Sequence, residues 1–266
     1  MKRLVVKRGL MVSLVILLLA ISGCDLFEGV NKIEYPFTYR LYETPGSPVS
    51  LIVSIDFFDE TPDLSGVDHQ WELRGDTIWI LLKGNNEEDE VSGSHSNTLP
   101  VDVGALENGN YTLLFEGKDE EQDAFVLAVK DSIYLVEGEG EEVALYYGVD
   151  TLHRLFENML LLEMAYDTSQ APYSDSLKEA LTALGAAETA LEPGFYSIFS
   201  VDSQGEVSGS RVSNHPSFIT HSALFAYDGD TLELEGVFKT YQDQLEYLSL
   251  RMGNGFDLHK PHIFGE

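Results

Sequence analysis

Between Tyr35 and about Val136 the chain is a succession of short runs rich in β-branched and aromatic residues. That pattern restricts the fold more than any other feature. Ser50–Phe58, Asp76–Leu82, Tyr111–Phe115, Ala124–Val129 and Ser132–Val136 each have the length and composition of a strand. Thr44–Pro48, Gly84–Asn86, Asn108-Gly109 and Lys130-Asp131 supply turn residues between them. Several strands at intervals of this kind argue for an antiparallel β-sandwich over residues 35–136. Arg74-Gly75-Asp76 falls between two strand-like pieces and reads as a hairpin turn.

The composition shifts to glycine and acid at Glu137–Glu142, the expected hinge into a second unit over residues 143–266. There Val149–Ala165 places Leu152, Leu155, Phe156, Met159 and Leu160 at helical spacing, with Asp150 or Thr151 as cap. A second helix is expected over Ser176–Leu191, with Ser176 and Glu179 as a capping box and Pro172 and Pro193-Gly194 outside its ends. Strands return at Phe195–Val201, Glu206–Val212, Leu224–Tyr227 and Thr231–Glu235, the last two around Asp228-Gly229-Asp230 as a hairpin. From Phe238 to Met252 the alternation of Leu245, Tyr247, Ser249 and Arg251 competes with the helical spacing of Leu245 and Leu248, and the strand is preferred. The expected fold class is therefore mainly β with an α+β second unit: a sandwich followed by two helices on an antiparallel sheet.

Leu106-Glu-Asn-Gly-Asn-Tyr-Thr-Leu-Leu-Phe115 followed by Phe125–Val129 resembles the closing strands of immunoglobulin-like or fibronectin-like modules in bacterial surface proteins. The same phrase returns as Leu191-Glu-Pro-Gly-Phe-Tyr-Ser-Ile198, matching at Leu, Glu, Gly and Tyr. A duplicated module would produce this echo. So would two tight turns that each feed a strand anchored by tyrosine.

The first residues specify an address. Lys2, Arg3, Lys7 and Arg8 precede an apolar run from Leu10 to Ser22. A helix of that length rises about 20 Å, short of the roughly 30 Å hydrocarbon core, so it reads as a signal-peptide core. Ile21-Ser22-Gly23-Cys24 follows and resembles the lipobox of bacterial lipoproteins. The resemblance implies cleavage between Gly23 and Cys24, removing residues 1–23, and acylation of Cys24 on its sulfur and its new amino group. Residues 24–34 are then the lipidated cysteine and a tether. Asp25 resembles the inner-membrane retention signal of enterobacterial lipoproteins. Other bacteria sort by other rules, so inner against outer membrane stays open.

With 16 basic against 45 acidic residues the formal charge is -29, which disfavours nucleic acid as a partner because like charges repel. A body so acidic is also repelled by anionic headgroups, which leaves the lipid to hold it at a membrane. One cysteine rules out a disulfide framework.

The acidic stretches Glu87–Glu90, Asp119–Asp123 and Glu139–Glu142 could offer oxygen ligands to calcium, but none spells an EF-hand loop, and they read as solvated loops. Asp257, His259 and His262 form an Asp-x-His-x-x-His near the end of the chain, interrupted by Pro261. His95, His215 and His221 lie in polar or turn-rich stretches without an evident partner. No nucleophile elbow, zinc-protease motif or phosphate-binding glycine loop is present, so no cofactor, metal or catalytic residue is assigned and a non-enzymatic role is favoured. A glycosidase's two carboxylates need not be neighbours in sequence, and that class stays open.

The expectation is thus a lipid-anchored lipoprotein of the bacterial cell envelope, facing the periplasm or the cell surface, that binds or scaffolds a protein or glycan partner. The alternative is a carrier of small hydrophobic ligands, since Gly229–Gly236 through Leu250 looks like strands of a lipocalin-like meander.

Overall fold

The computed structural model describes residues 37–57, 67–84, 98–117, 121–138, 140, 143–212 and 217–260. The leader, Gly23, Cys24 and the tether lie outside these residues, as do His95, His215, His262 and the Glu87–Glu90 stretch.

The first part is a β-sandwich. Its strands are β1 (Phe37–Thr44), β2 (Ser50–Phe57), β3 (Val67–Arg74), β4 (Thr77–Gly84), β5 (Thr98–Gly104), β6 (Gly109–Glu116), β7 (Gln122–Val129), β8 (Ile133–Glu137), β9 (Ala144–Tyr146) and β10 (Thr151–His153). One sheet runs β5-β2-β1-β9, and the facing sheet contains β10-β8-β7-β6-β4-β3. Alternation puts Tyr39, Leu41, Val53, Ile55, Ile78, Ile80, Phe115 and Phe125 into the space between them. Phe115 meets Tyr39 at 4.6 Å and Phe37 at 5.3 Å between ring centres, the tilted and edge arrangements that aromatic quadrupoles favour. The expected Arg74-Gly75-Asp76 turn joins β3 and β4, with Gly75 at φ +63°. The Arg74 guanidinium lies 3.8 Å over the Trp79 ring.

The acidic stretch does not end this body. Val143, Ala144 and Leu152, expected beyond the hinge, are buried in the sandwich core. Buried Asp123 accepts hydrogen bonds from the backbone N–H of Val143 (2.6 Å) and Ala144 (2.7 Å), which holds β9 beside β1.

The rest comprises β11 (Met159–Tyr166), α1 (Ala171–Ala183), β12 (Ala187–Glu188), β13 (Gly194–Phe195), β14 (Phe199–Val201), β15 (Val207–Gly209), β16 (Ile219–Ala226), α2 (Thr231–Tyr241), β17 (Tyr247–Met252) and β18 (Asp257–His259). A five-stranded antiparallel sheet runs β12-β16-β11-β17-β18. Leu177 and Leu181 of α1 and Leu234 and Phe238 of α2 cover one face of it. The opposite face meets Tyr196, Phe199 and Val201. Tyr196 directly follows β13, and Phe199 and Val201 belong to β14; β13–β15 extend the second sandwich sheet to nine strands through β10.

Three expectations are corrected here. Val149–Ala165 is not a helix. It divides into β10, a turn and β11, because Met159–Ala165 is the central strand of a sheet covered on both faces, and its near-continuous apolar run imitates helical spacing. The helix expected at Ser176–Leu191 is α1, which starts earlier at Ala171 and ends at Ala183, with Ala187–Glu188 forming β12 instead. Pro172 sits in its first turn, where no N–H is needed, and the Ser176 hydroxyl donates to Pro172 O instead of capping. Thr231–Glu235 is the first half of α2, not a strand, and α2 continues through Phe238–Tyr241, so the strand preferred over Phe238–Met252 is confined to Tyr247–Met252. Asp230 Oδ1 accepts from Leu232 N at 2.9 Å, and Glu233 lies in the first turn near the positive end of the helix dipole. Asp230→Ala is expected to cost about 1 kcal/mol in denaturant unfolding. A change within error would mean that packing alone sets the start of α2.

The repeated phrase has one structural meaning at both places. Tyr111 OH donates to Glu107 O (3.0 Å) and Tyr196 OH donates to Glu192 O (2.9 Å), each bond closing the turn before a strand. Tyr111 packs on the sandwich core and Tyr196 on the opposite-face cluster of the second sheet.

Candidate functional site

Three adjoining depressions lie where β13–β15 pass between the sandwich and the five-stranded sheet. Ala190 and Leu191 form the wall common to the two larger ones.

The first, about 340 Å³, has an aromatic floor. Tyr196 stacks nearly parallel on Phe199 at 4.8 Å and meets the His153 ring at 4.7 Å. His153 comes from the end of β10, and the parallel pairing of Leu152 with Phe195 brings it alongside. A Cβ at position 194 would stand 2.3 Å from the imidazole, so Gly194 is what admits His153. Burial pushes the Tyr196 hydroxyl above the usual tyrosine range, and it stays a neutral donor. Phe156, 43% exposed, and the half-exposed Leu191 form the apolar rim, while Glu192 and Ser132 add an exposed carboxylate and hydroxyl.

The second depression is larger, about 680 Å³, and more polar. Its far wall is the hairpin of β14 and β15 and its floor is Thr220–Leu224 of β16. Asp202 shapes the hairpin turn: its Oδ1 accepts from the N–H of Gln204 and of Glu206, both at 2.8 Å, with Gly205 at φ +82°. This leaves the Glu206 side chain exposed at the rim, facing a lining that also contains Glu188.

The third, about 260 Å³, shares Val207, Thr220, His221 and Ser222 with the second. His221 Nε2 is buried and has no hydrogen-bond partner among the described residues. Burial lowers the basicity of the ring, Lys178 adds to this, and Glu188 opposes it, so the imidazole is neutral at pH 7.

Beneath this groove the sheet is held by charge. Glu163 of β11, fully buried, receives Arg251 Nη2 at 2.5 Å and the Arg211 backbone N–H at 2.8 Å. Arg251 also donates to Ile198 O (3.3 Å) and Ser210 Oγ (3.1 Å), tying the segment on either side of β14 and β15 to the sheet. Gly209 lies against Glu163, since a Cβ there would meet the carboxylate at 2.1 Å.

Of the histidines singled out in the sequence, His221 joins the groove. His259 is exposed, and its Nδ1 stands 3.4 Å from Asp257 Oδ1. Asp257 is already engaged by the Arg211 guanidinium through two bonds of 2.5 and 2.6 Å, so Asp257 and His259 do not form a free ligand pair. No group of three or more His, Cys, Asp or Glu side chains among the described residues could hold a metal ion. No described helix is long and apolar enough to cross a membrane. His153, Phe156 and Glu192 were not recognisable as site residues from the sequence, although the Leu191–Tyr196 echo marked the right segment. The chain matches no protein-family model, no curated protein and no solved structure.

Proposed function

We propose that the protein is a membrane-anchored envelope lipoprotein that acts as a non-enzymatic binding or scaffold module for a protein or glycan partner. The groove formed by the three adjoining depressions carries this reading. It combines exposed apolar and aromatic rims with a few polar groups on rigid supports, the usual make-up of a recognition surface. The lipobox-like Ile21–Cys24 supplies the anchor. The carrier alternative is weakened, because Thr231–Tyr241, within the stretch Gly229–Leu250 read as its meander, is a helix whose Leu234 and Phe238 are buried against the five-stranded sheet.

Two experiments test the two halves. Cys24→Ser is expected to abolish palmitate incorporation in the native cell and to move the protein from the membrane to the soluble fraction. Continued labelling would remove the lipoprotein reading. Cross-linking in cells followed by mass spectrometry should give reproducible links from Ser132, Glu188–Glu192 or Glu206 to a small set of envelope partners. Links scattered at random over the surface would count against a binding module.

A further inference from the structure

Resting on the binding-module reading, we propose that the groove takes an extended basic segment of a partner protein, its lysine or arginine side chains lying over the aromatic rim and between the rim carboxylates. Charge complementarity commits the site to this occupant. Glu188, Glu192 and Glu206 stand along the groove, and none of the described residues lining its three depressions is Lys or Arg. Lys178 acts on His221 from beyond the lining and offsets the three carboxylates only in part; they attract cations, and the overall charge of -29 steers a basic segment toward the surface.

The aromatic end adds a second, independent match. Phe156 presents an exposed ring in the depression that Tyr196 and His153 also line. A guanidinium or ammonium over the Phe156 face is held by the ring quadrupole as well as by the carboxylates. At the other end His221 lines the wall of the second and third depressions, with its Nε2 buried beneath their surface. A neutral glycan would use the aromatic end and leave the acidic length of the groove unmatched. An extended peptide, advancing about 3.3 Å per residue, can run from one end to the other.

The test uses the full chain in neutral detergent and a fluorescein-labelled peptide of alternating lysine and alanine, read by fluorescence anisotropy. Saturable binding at one site per chain is expected, weakening by about tenfold or more between low and physiological salt. Glu188→Gln, Glu192→Gln and Glu206→Gln together should weaken binding by about tenfold, and Phe156→Ala by a few-fold at every salt concentration. The control carries Glu72→Gln, Glu137→Gln and Asp243→Asn, three exposed carboxylates outside the groove, and should change affinity by less than about twofold. All these positions are on the surface, so thermal melts should match the native chain.

Equal weakening in the control would show diffuse attraction to an acidic body and overturn the proposal. So would binding of a neutral gluco-oligosaccharide, sensitive to Phe156→Ala, in place of the peptide. If neither probe binds while cross-links to envelope partners persist, this proposal falls and the binding-module reading stands. If the cross-links are absent too, both fall.

Discussion

Arg251→Met is expected to destabilise the protein by about 3–5 kcal/mol, the cost of leaving a buried charge without its partner. Glu163 is fully buried, and Arg251 is its one charged partner among the described contacts at hydrogen-bond distance. The same substitution frees Ile198 O and Ser210 Oγ, so the β14–β15 hairpin should loosen along with the sheet. Glu163→Gln combined with Arg251→Met is the informative companion. A glutamine keeps an acceptor for the Arg211 N–H but carries no charge, so the double variant should recover most of the loss. Urea unfolding of the four species measures the coupling directly. If the double variant is as unstable as Arg251→Met alone, the hydrogen bonds to Ile198 and Ser210, and not the stranded charge, carry the effect.

The second large effect concerns Glu43, where the two halves of the molecule meet. The residue is 2% exposed, and its carboxylate accepts hydrogen bonds from Tyr134 OH (2.8 Å) and from the Leu155 N–H. Arg154 Nε stands 3.9 Å away. On the backbone, Glu43 N–H donates to Ser197 Oγ at 2.7 Å, and Ser197 is held at φ +60°, where non-glycine residues are rarely found. Glu43→Ala removes the acceptor from two buried donors and is expected to cost about 2–4 kcal/mol in total, taking each stranded donor at 1–2.

Glu43→Gln should behave differently, and its pH dependence has a definite sign. Burial raises the Glu43 carboxyl above the usual glutamate range, and the bonds from Leu155 and Tyr134 and the charge of Arg154 offset this only in part. A carboxyl whose folded value is raised contributes stability fully below its unfolded value and loses it as the pH climbs through the folded one. The native chain therefore forfeits stability at neutral pH that the neutral glutamine keeps. The stability of Glu43→Gln relative to the native chain should be greatest near pH 7 and should decline as the pH falls toward the ordinary glutamate range. A difference that grows on acidification would mean that the ionised carboxylate is the form the fold prefers.

Much of the first sheet pair could be read directly from the residues. Ser50–Phe57, Gln122–Val129 and the hairpin at Gly75 all sit where β-branched composition and turn chemistry put them; Gln122–Val129 keeps one face inward, and the turn at Gly75 fixes the pairing of β3 with β4. β11 was misread for the opposite reason: covered on both faces, it has no polar face to betray its period. α2 was hidden by Asp228-Gly229-Asp230, which suits a hairpin and a helix cap equally well until Asp230 is seen bonding Leu232. The groove was less legible still. Its walls come from positions between Ser132 and Leu224, and only the parallel pairing of β10 with β13 brings His153 to Tyr196. No local pattern announces a contact of that kind. The Leu191–Tyr196 echo could be seen, and it located a turn without telling what the turn serves.

The placement of β1 has a mechanical consequence. This strand is held by eight antiparallel register pairs to β2 and three parallel ones to β9, with Phe37 N–H bonded to Val143 O and Tyr147 N–H to Tyr39 O. A pull transmitted through the residues before Phe37 runs along the strand axis. Its hydrogen bonds are then loaded together, in shear, and do not open one at a time as in the peeling of a hairpin. Glu43, near the far end of the same strand, hands that load on to Leu155 and Ser197 and so to the part of the chain that carries the groove. A body hung by its first residues from a moving surface would keep its grip through the strand best placed to resist being drawn out.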